Sequence, residues 1–173
     1  MSKQQTDLYR EAGEQFAPAI ARLSNAMERD REKARDLEQD IHLEIWRSLE
    51  RFEGDCSLKT WVFRIAHNVA ADHVGRAKRQ INTVDIDEIV EATSVESTEQ
   101  KLTQSHALAR LQTIIRSLPL LDAQVILLWL EGHSAAEIAE VTGLSSGAVA
   151  TRISRLKDKL ATHFTPLEKN NDK

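Results

Sequence analysis

Residues 135–160, AAEIAEVTGLSSGAVATRISRLKDKL, confine this part of the chain to one kind of local structure: two short helices joined by a tight turn. Ala139 is small where two helices must approach closely. Gly143 can adopt the left-handed backbone that ends the first helix. Ser145 can cap the second, whose apolar stripe is Val149, Ile153, Leu156 and Leu160. Ala148, Thr151, Arg152, Arg155 and Lys159 are left pointing outward, a surface able to enter the major groove of a duplex. The alternative is an ordinary helical hairpin with solvated lysines.

The rest of the chain fits an all-α protein. Six glycines and three prolines in 173 residues, with few β-branched runs, leave little to interrupt helices. A first helix is predicted over residues 7–27, with Pro18 near its middle, followed by a charged stretch (28–35) that is either a turn or a short helix. A helix at 34–52 carries Leu37, Ile41, Ile45, Trp46 and Leu49 on one stripe. FEGDCS at 52–57 breaks that pattern, and Ser57 then caps a helix to about residue 79 with Leu58, Trp61, Val62, Ile65 and Val69 as its apolar positions. Trp61 reads as core, whereas Phe63 fits either the core or a stacking surface. Helical periodicity returns at His106, stops at Pro119, and resumes with Asp122 as a cap before Gly132. The expected organisation is two small helical domains, 1–81 and 106–165, joined by a flexible acidic linker at 82–105 and followed by a polar tail at 166–173. The second is a four-helix domain ending in the helix-turn-helix.

Net charge is −4, which argues against indiscriminate coating of nucleic acid, but the charges are segregated. Lys59, Arg64, Arg76, Lys78 and Arg79 face only Asp72 between positions 59 and 82, while residues 83–100 carry six acids and no base. With the basic second helix of the helix-turn-helix, this makes two places to meet phosphate backbone, separated by a strip that avoids or imitates it. Cys56 is alone, the N-terminus is polar, and no apolar run reaches membrane length, so a cytoplasmic, reducing location without membrane insertion is expected. No metal-binding, phosphate-loop or Cys-x-x-Cys motif is present, and neither catalysis nor a cofactor is expected. His67 and His73 are six apart and share no helix face, so they do not form a metal pair. Glu131 and His133 flank a glycine turn and read as structural.

DLEQDI (36–41) through Trp46, then FEGDCSLKTWVFRIAHNVAADHVGRAKR (52–79), form one distinctive stretch, and residues 108–160, with Leu118-Pro119, Leu130-Glu131-Gly132 and Ala136-Glu137-Ile138-Ala139, form a second. In that order they resemble the N-terminal and C-terminal domains of the extracytoplasmic-function group of bacterial RNA polymerase sigma factors. The resemblance implies a sigma factor that binds core RNA polymerase and reads the −10 and −35 elements of promoter DNA. It implies a polymerase-gripping surface of Asp36, Leu37, Gln39, Asp40, Leu43 and Trp46, although periodicity alone puts Leu37, Ile41 and Ile45 in the core. For the −10 element it implies Gly54, Asp55, Cys56, Ser57, Lys59, Arg64, His67, Asn68 and Arg76, where a base is turned out of the stack. For the −35 duplex it implies Ser145, Ser146, Gly147, Ala148, Thr151, Arg152, Arg155 and Lys159. Ala150 departs from the basic or larger polar residue common there, which suits thymine methyls or weaker binding. The family also implies an anti-sigma factor as a candidate partner, and a linker that either threads toward the polymerase's RNA path or is a plain tether. Two rival readings are a stand-alone helix-turn-helix regulator and a helical protein-binding adaptor.

Overall fold

The computed structural model describes residues 2–81 and 101–164, with side chains from 104 onward in the second stretch. Expectations for the acidic strip at 83–100 and the tail at 166–173 lie outside the described residues. The helices are α1 (Lys3–Met27), α2 (Arg31–Ser48), α3 (Leu58–Ile81), α4 (Lys101–Ser117), α5 (Leu120–Leu130), α6 (Ala135–Thr142) and α7 (Ser146–Phe164). A 3-10 turn, Leu49–Arg51, follows α2. No strand occurs among the described residues.

Helix starts are set by polar side chains that take over backbone N–H groups left without partners. Ser2 Oγ accepts from Gln5 N at 3.3 Å, and Asp30 Oδ1 accepts from Glu32 N and Lys33 N at 2.9 and 3.0 Å. Asp30 thereby decides the charged stretch: Glu28 closes α1 and α2 begins at Arg31. Ser57 Oγ accepts from Thr60 N at 3.1 Å, and Ser145 Oγ from Ala148 N at 3.2 Å, both as expected. Gly143 has φ +78 and closes α6, the left-handed turn the sequence called for. Pro18 does not end α1, because Ala12, Ala19, Ile20 and Leu23 on either side of it are buried against the neighbouring helices.

Two boundaries differ from expectation. α4 begins at Lys101, so residues 101–105 are helix and not linker: KLTQS holds no Gly or Pro to stop the turn that precedes His106. Pro119, not Asp122, occupies the cap position of α5. Asp122 lies inside the first turn, its side chain facing α7.

The core is continuous across the molecule. Leu37, Ile41, Ile45, Val62 and Ala66 fill the space among α1, α2 and α3, and Val125, Ile126, Leu128, Ile138, Val149 and Leu156 fill that among α5, α6 and α7. Each large side chain of this kind stabilises by roughly 1.5–3 kcal/mol on burial. Trp61 packs edge-on to Phe52 at 5.3 Å and donates Nε1–H to Ser48 Oγ at 3.0 Å, which places it with the core. Phe63 is also core. Its ring meets Phe16 at 5.6 Å and the His133 imidazole at 4.4 Å, so it joins the first three helices to the turn before α6. The two halves therefore touch, with α3 along α6 and α1 along α4.

Candidate nucleic-acid interface

The residues expected to make contacts lie along three regions of the molecule, and not all of them are exposed. On α2, Asp36, Gln39 and Asp40 are solvent-exposed and Leu43 is 46% exposed, an apolar side chain left among acids. Leu37 is different. At 1% exposure it belongs to the core, because it lies on the α2 stripe shared with Ile41 and Ile45. Trp46 is half-buried, edge-on to Tyr9 at 5.4 Å, and its carbonyl accepts from Gln5 Nε2 at 2.9 Å. The periodic reading of Leu37 thus prevails over the polymerase contact that the resemblance implies.

The loop before α3 exposes Gly54, Asp55 and Ser57 and half-buries Cys56. Gly54 takes φ +84, which a residue with a Cβ adopts only under strain. From this loop α3 carries its basic face, but that face is divided. Asn68 and Arg76 are exposed. Lys59 Nζ instead donates to Glu137 Oε1 at 3.0 Å, and Thr60 Oγ1 donates to Glu140 Oε2 at 3.1 Å. Arg64 donates Nη2–H to the Glu140 carbonyl at 2.8 Å. Glu137 and Glu140 of α6 thus engage three donors of α3, two through carboxylates and one through the Glu140 carbonyl. Glu137 serves both halves: its carboxylate accepts from Ser134 N at 2.7 Å as the α6 capping box and accepts from Lys59. The backbone bond and the Lys59 ammonium together hold its carboxyl at about 2.

His67 is buried at this seam and so is unavailable to DNA in this arrangement. Its carbonyl accepts from Gln124 Nε2 of α5 at 3.1 Å. Burial pushes its imidazole down to about 3, and His133 across the seam adds to the shift. Neither His67 Nδ1 nor His133 Nε2 has a hydrogen-bond partner among the described residues, and burial favours the neutral form of both rings. His133 is lowered by burial first and by Lys59 second. Arg22 closes the far side of the seam with a two-pronged bond to Glu131, at 2.6 and 2.8 Å. The structural reading of Glu131 and His133 acquires a partner here: both hold the halves together.

In α7, Ser145, Ser146 and Gly147 are exposed at the start, Thr151, Arg155 and Lys159 face solvent, and Ala148 is half-buried. Arg152 is not simply outward. Its Nη1 donates to Asp122 Oδ1 at 2.5 Å, and Arg155 Nη2 approaches both carboxylate oxygens at 3.3–3.4 Å. Asp122 carried no signal as a site residue, because a sequence does not show that the first turn of α5 lies beside α7. Among the described residues no cluster of His, Cys, Asp and Glu could hold a metal, and no helix is long and apolar enough to cross a membrane. His73 pairs with Glu28 at 2.7 Å.

A three-helix unit joined to a helix-turn-helix whose second helix is basic is an arrangement suited to meeting DNA. Residues 14–80 match the family described as Sigma-70 region 2, and residues 108–160 match Sigma-70, region 4. RNA polymerase sigma-H factor of Pseudomonas aeruginosa is 31% identical over 147 residues, covering 80% of this chain and 76% of that protein. ECF RNA polymerase sigma-E factor of Escherichia coli K12 is 31% identical over 142 residues, covering 76% and 74%. CnrH, solved in complex with the cytosolic domain of CnrY, shares the fold with a TM-score of 0.63 and 25% identity, over 89% of this chain and 85% of that one. The chain belongs to the sigma-70 family, among its extracytoplasmic-function members. It directs RNA polymerase to promoters, its partners being core polymerase and promoter DNA. That family is one of non-enzymatic initiation subunits.

Proposed function

We propose that residues 1–81 bind core polymerase and open the −10 element, that residues 106–165 read the −35 duplex, and that the two heads alternate between a closed and an opened arrangement. Asp36, Gln39, Asp40 and Leu43 are the polymerase contacts in this reading. Gly54, Asp55, Ser57, Asn68 and Arg76 are the −10 contacts accessible at once, and Lys59 and Arg64 join them when α6 moves away. Ser145, Ser146, Gly147, Thr151, Arg155 and Lys159 meet the −35 duplex, with no catalytic step by the chain itself. The observation that carries this is the engagement of Lys59, Thr60 and Arg64 by Glu137 and Glu140. Phosphates compete for the same donors, so the seam is electrostatically poised to be exchanged for DNA. Because CnrH has been solved in complex with the cytosolic domain of CnrY, a protein partner that holds this chain off DNA belongs to the proposal.

The test is assembly of the full chain with sigma-free core polymerase and transcription on genomic fragments. Replacing Gln39 and Asp40 together by Ala is expected to weaken assembly, with the isolated chain's melting temperature unchanged. Unaltered assembly would remove α2 from the polymerase interface. Failure of the wild-type chain to bind core, with retained binding to a palindromic duplex, would favour a stand-alone regulator.

A further inference from the structure

Arg152 and Arg155 both look like groove-reading residues by sequence, but the structure treats them differently. Arg152 is drawn down to Asp122, the pair's side chains being 32% and 10% exposed, with a short 2.5 Å bond. Arg155 keeps 62% of its side chain exposed and reaches the same carboxylate only through Nη2, at 3.3 and 3.4 Å. Asp122 is thus one buried carboxylate shared by two guanidinium groups on successive turns of one helix face. A guanidinium carries five N–H donors in a rigid fork. The long contacts of Arg155 engage one nitrogen and leave its remaining donors free for a base edge or phosphate.

We infer that Asp122 is a positioning residue for −35 recognition: it fastens Arg152 as a strut of the fold and steers Arg155, which is the arginine that reads the duplex. This rests on the reading of α7 as the groove-entering helix. The physical reason is that a long side chain meets a base edge with discrimination only if its rotamer is held beforehand; a free arginine meets any phosphate nearby. The carboxylate also lowers the positive potential of the face, which trims sequence-independent attraction. Removing its charge is therefore expected to move the two kinds of binding in opposite directions. A merely structural residue would weaken both together.

The experiment uses the full chain assembled with core RNA polymerase. The probe is a genomic promoter fragment on which the wild-type holoenzyme initiates, compared with the same fragment bearing a scrambled −35 segment. The reading is the ratio of the two Kd values across a potassium chloride series. For Asp122→Asn the ratio is expected to fall roughly tenfold, the scale of one lost bidentate base contact. Binding to the scrambled fragment is expected to be at least as tight as wild type, with a salt slope steeper by about one counterion. In an Arg155→Ala background, Asp122→Asn is expected to leave the ratio unchanged within about twofold, because the steered residue is gone. Arg152→Lys is expected to lower the melting temperature with the ratio likewise preserved. An unchanged ratio for Asp122→Asn, or an equal fall in the Arg155→Ala background, overturns the inference while the −35 reading stands. A wild-type holoenzyme indifferent to scrambling overturns that reading, and the inference with it.

Discussion

Lowering the pH from 7.5 to 5.5 is expected to loosen the seam between the two halves through His67. The closed arrangement holds this imidazole at about 3, against 6.5 for a solvated one, because burial disfavours its charged form. An opened or unfolded chain takes up the proton near 6.5, and the closed one only near 3. The stability gained from keeping His67 neutral is therefore fully present above 6.5 and declines as pH falls toward 3. At pH 5.5 the loss is about 1.4 kcal/mol, or tenfold in the opening equilibrium. His133, also pushed down by burial, acts in the same direction, with Lys59, Glu131 and Glu137 as its charged neighbours. Glu137 contributes nothing over this range, since its depressed carboxyl loses stability only between its ordinary 4.5 and about 2. Urea unfolding of wild type and His67→Leu at both pH values isolates the effect, because the remaining histidines are common to the two proteins. The wild type is expected to lose about 1.4 kcal/mol more than the variant on acidification. Equal losses would show that His67 titrates alike in both arrangements and would refute the reasoning.

Other substitutions separate core from surface on single helices. Leu37→Ala is expected to destabilise by about 2–5 kcal/mol by opening a cavity among α1, α2 and α3, whereas Leu43→Ser, on the same helix, is expected to stay within about 0.5 kcal/mol of wild type in urea melts while reducing polymerase binding. Gly143→Ala is expected to cost about 1–2 kcal/mol, because φ +78 is unfavourable for a residue with a Cβ; an unchanged urea midpoint would mean that the turn relaxes.

Much of this protein is legible in its residues taken in order, for reasons that are local. Period-3.6 stripes place Ile41 and Ile45 on one face of α2, and Val149 and Leu156 on one face of α7, wherever those helices end up. Ser57, Ser145 and Gly143 set helix limits through groups within a few residues of themselves, and their placement agrees with the structure. Charge segregation is equally local, so the basic and acidic stretches were visible without a fold. The start of α4 at Lys101 is local too, set by a run without Gly or Pro, whereas packing decided Phe63, readable as either core or wedge, by drawing it into the seam between Phe16 and His133.

What only the tertiary structure decided is which charged groups stay free. Lys59 and Glu137 are 78 positions apart, Arg22 and Glu131 are 109 apart, and Arg152 and Asp122 are 30 apart. No pattern along the chain encodes such pairs, because a long polar side chain takes whatever partner the packing of apolar stripes brings within reach. Sequence marked Lys59, Arg64, His67 and Arg152 as equals of Asn68, Arg76 and Arg155. Closing α6 onto α3, and α5 onto α7, sorted them into groups drawn into the packing and groups left largely exposed.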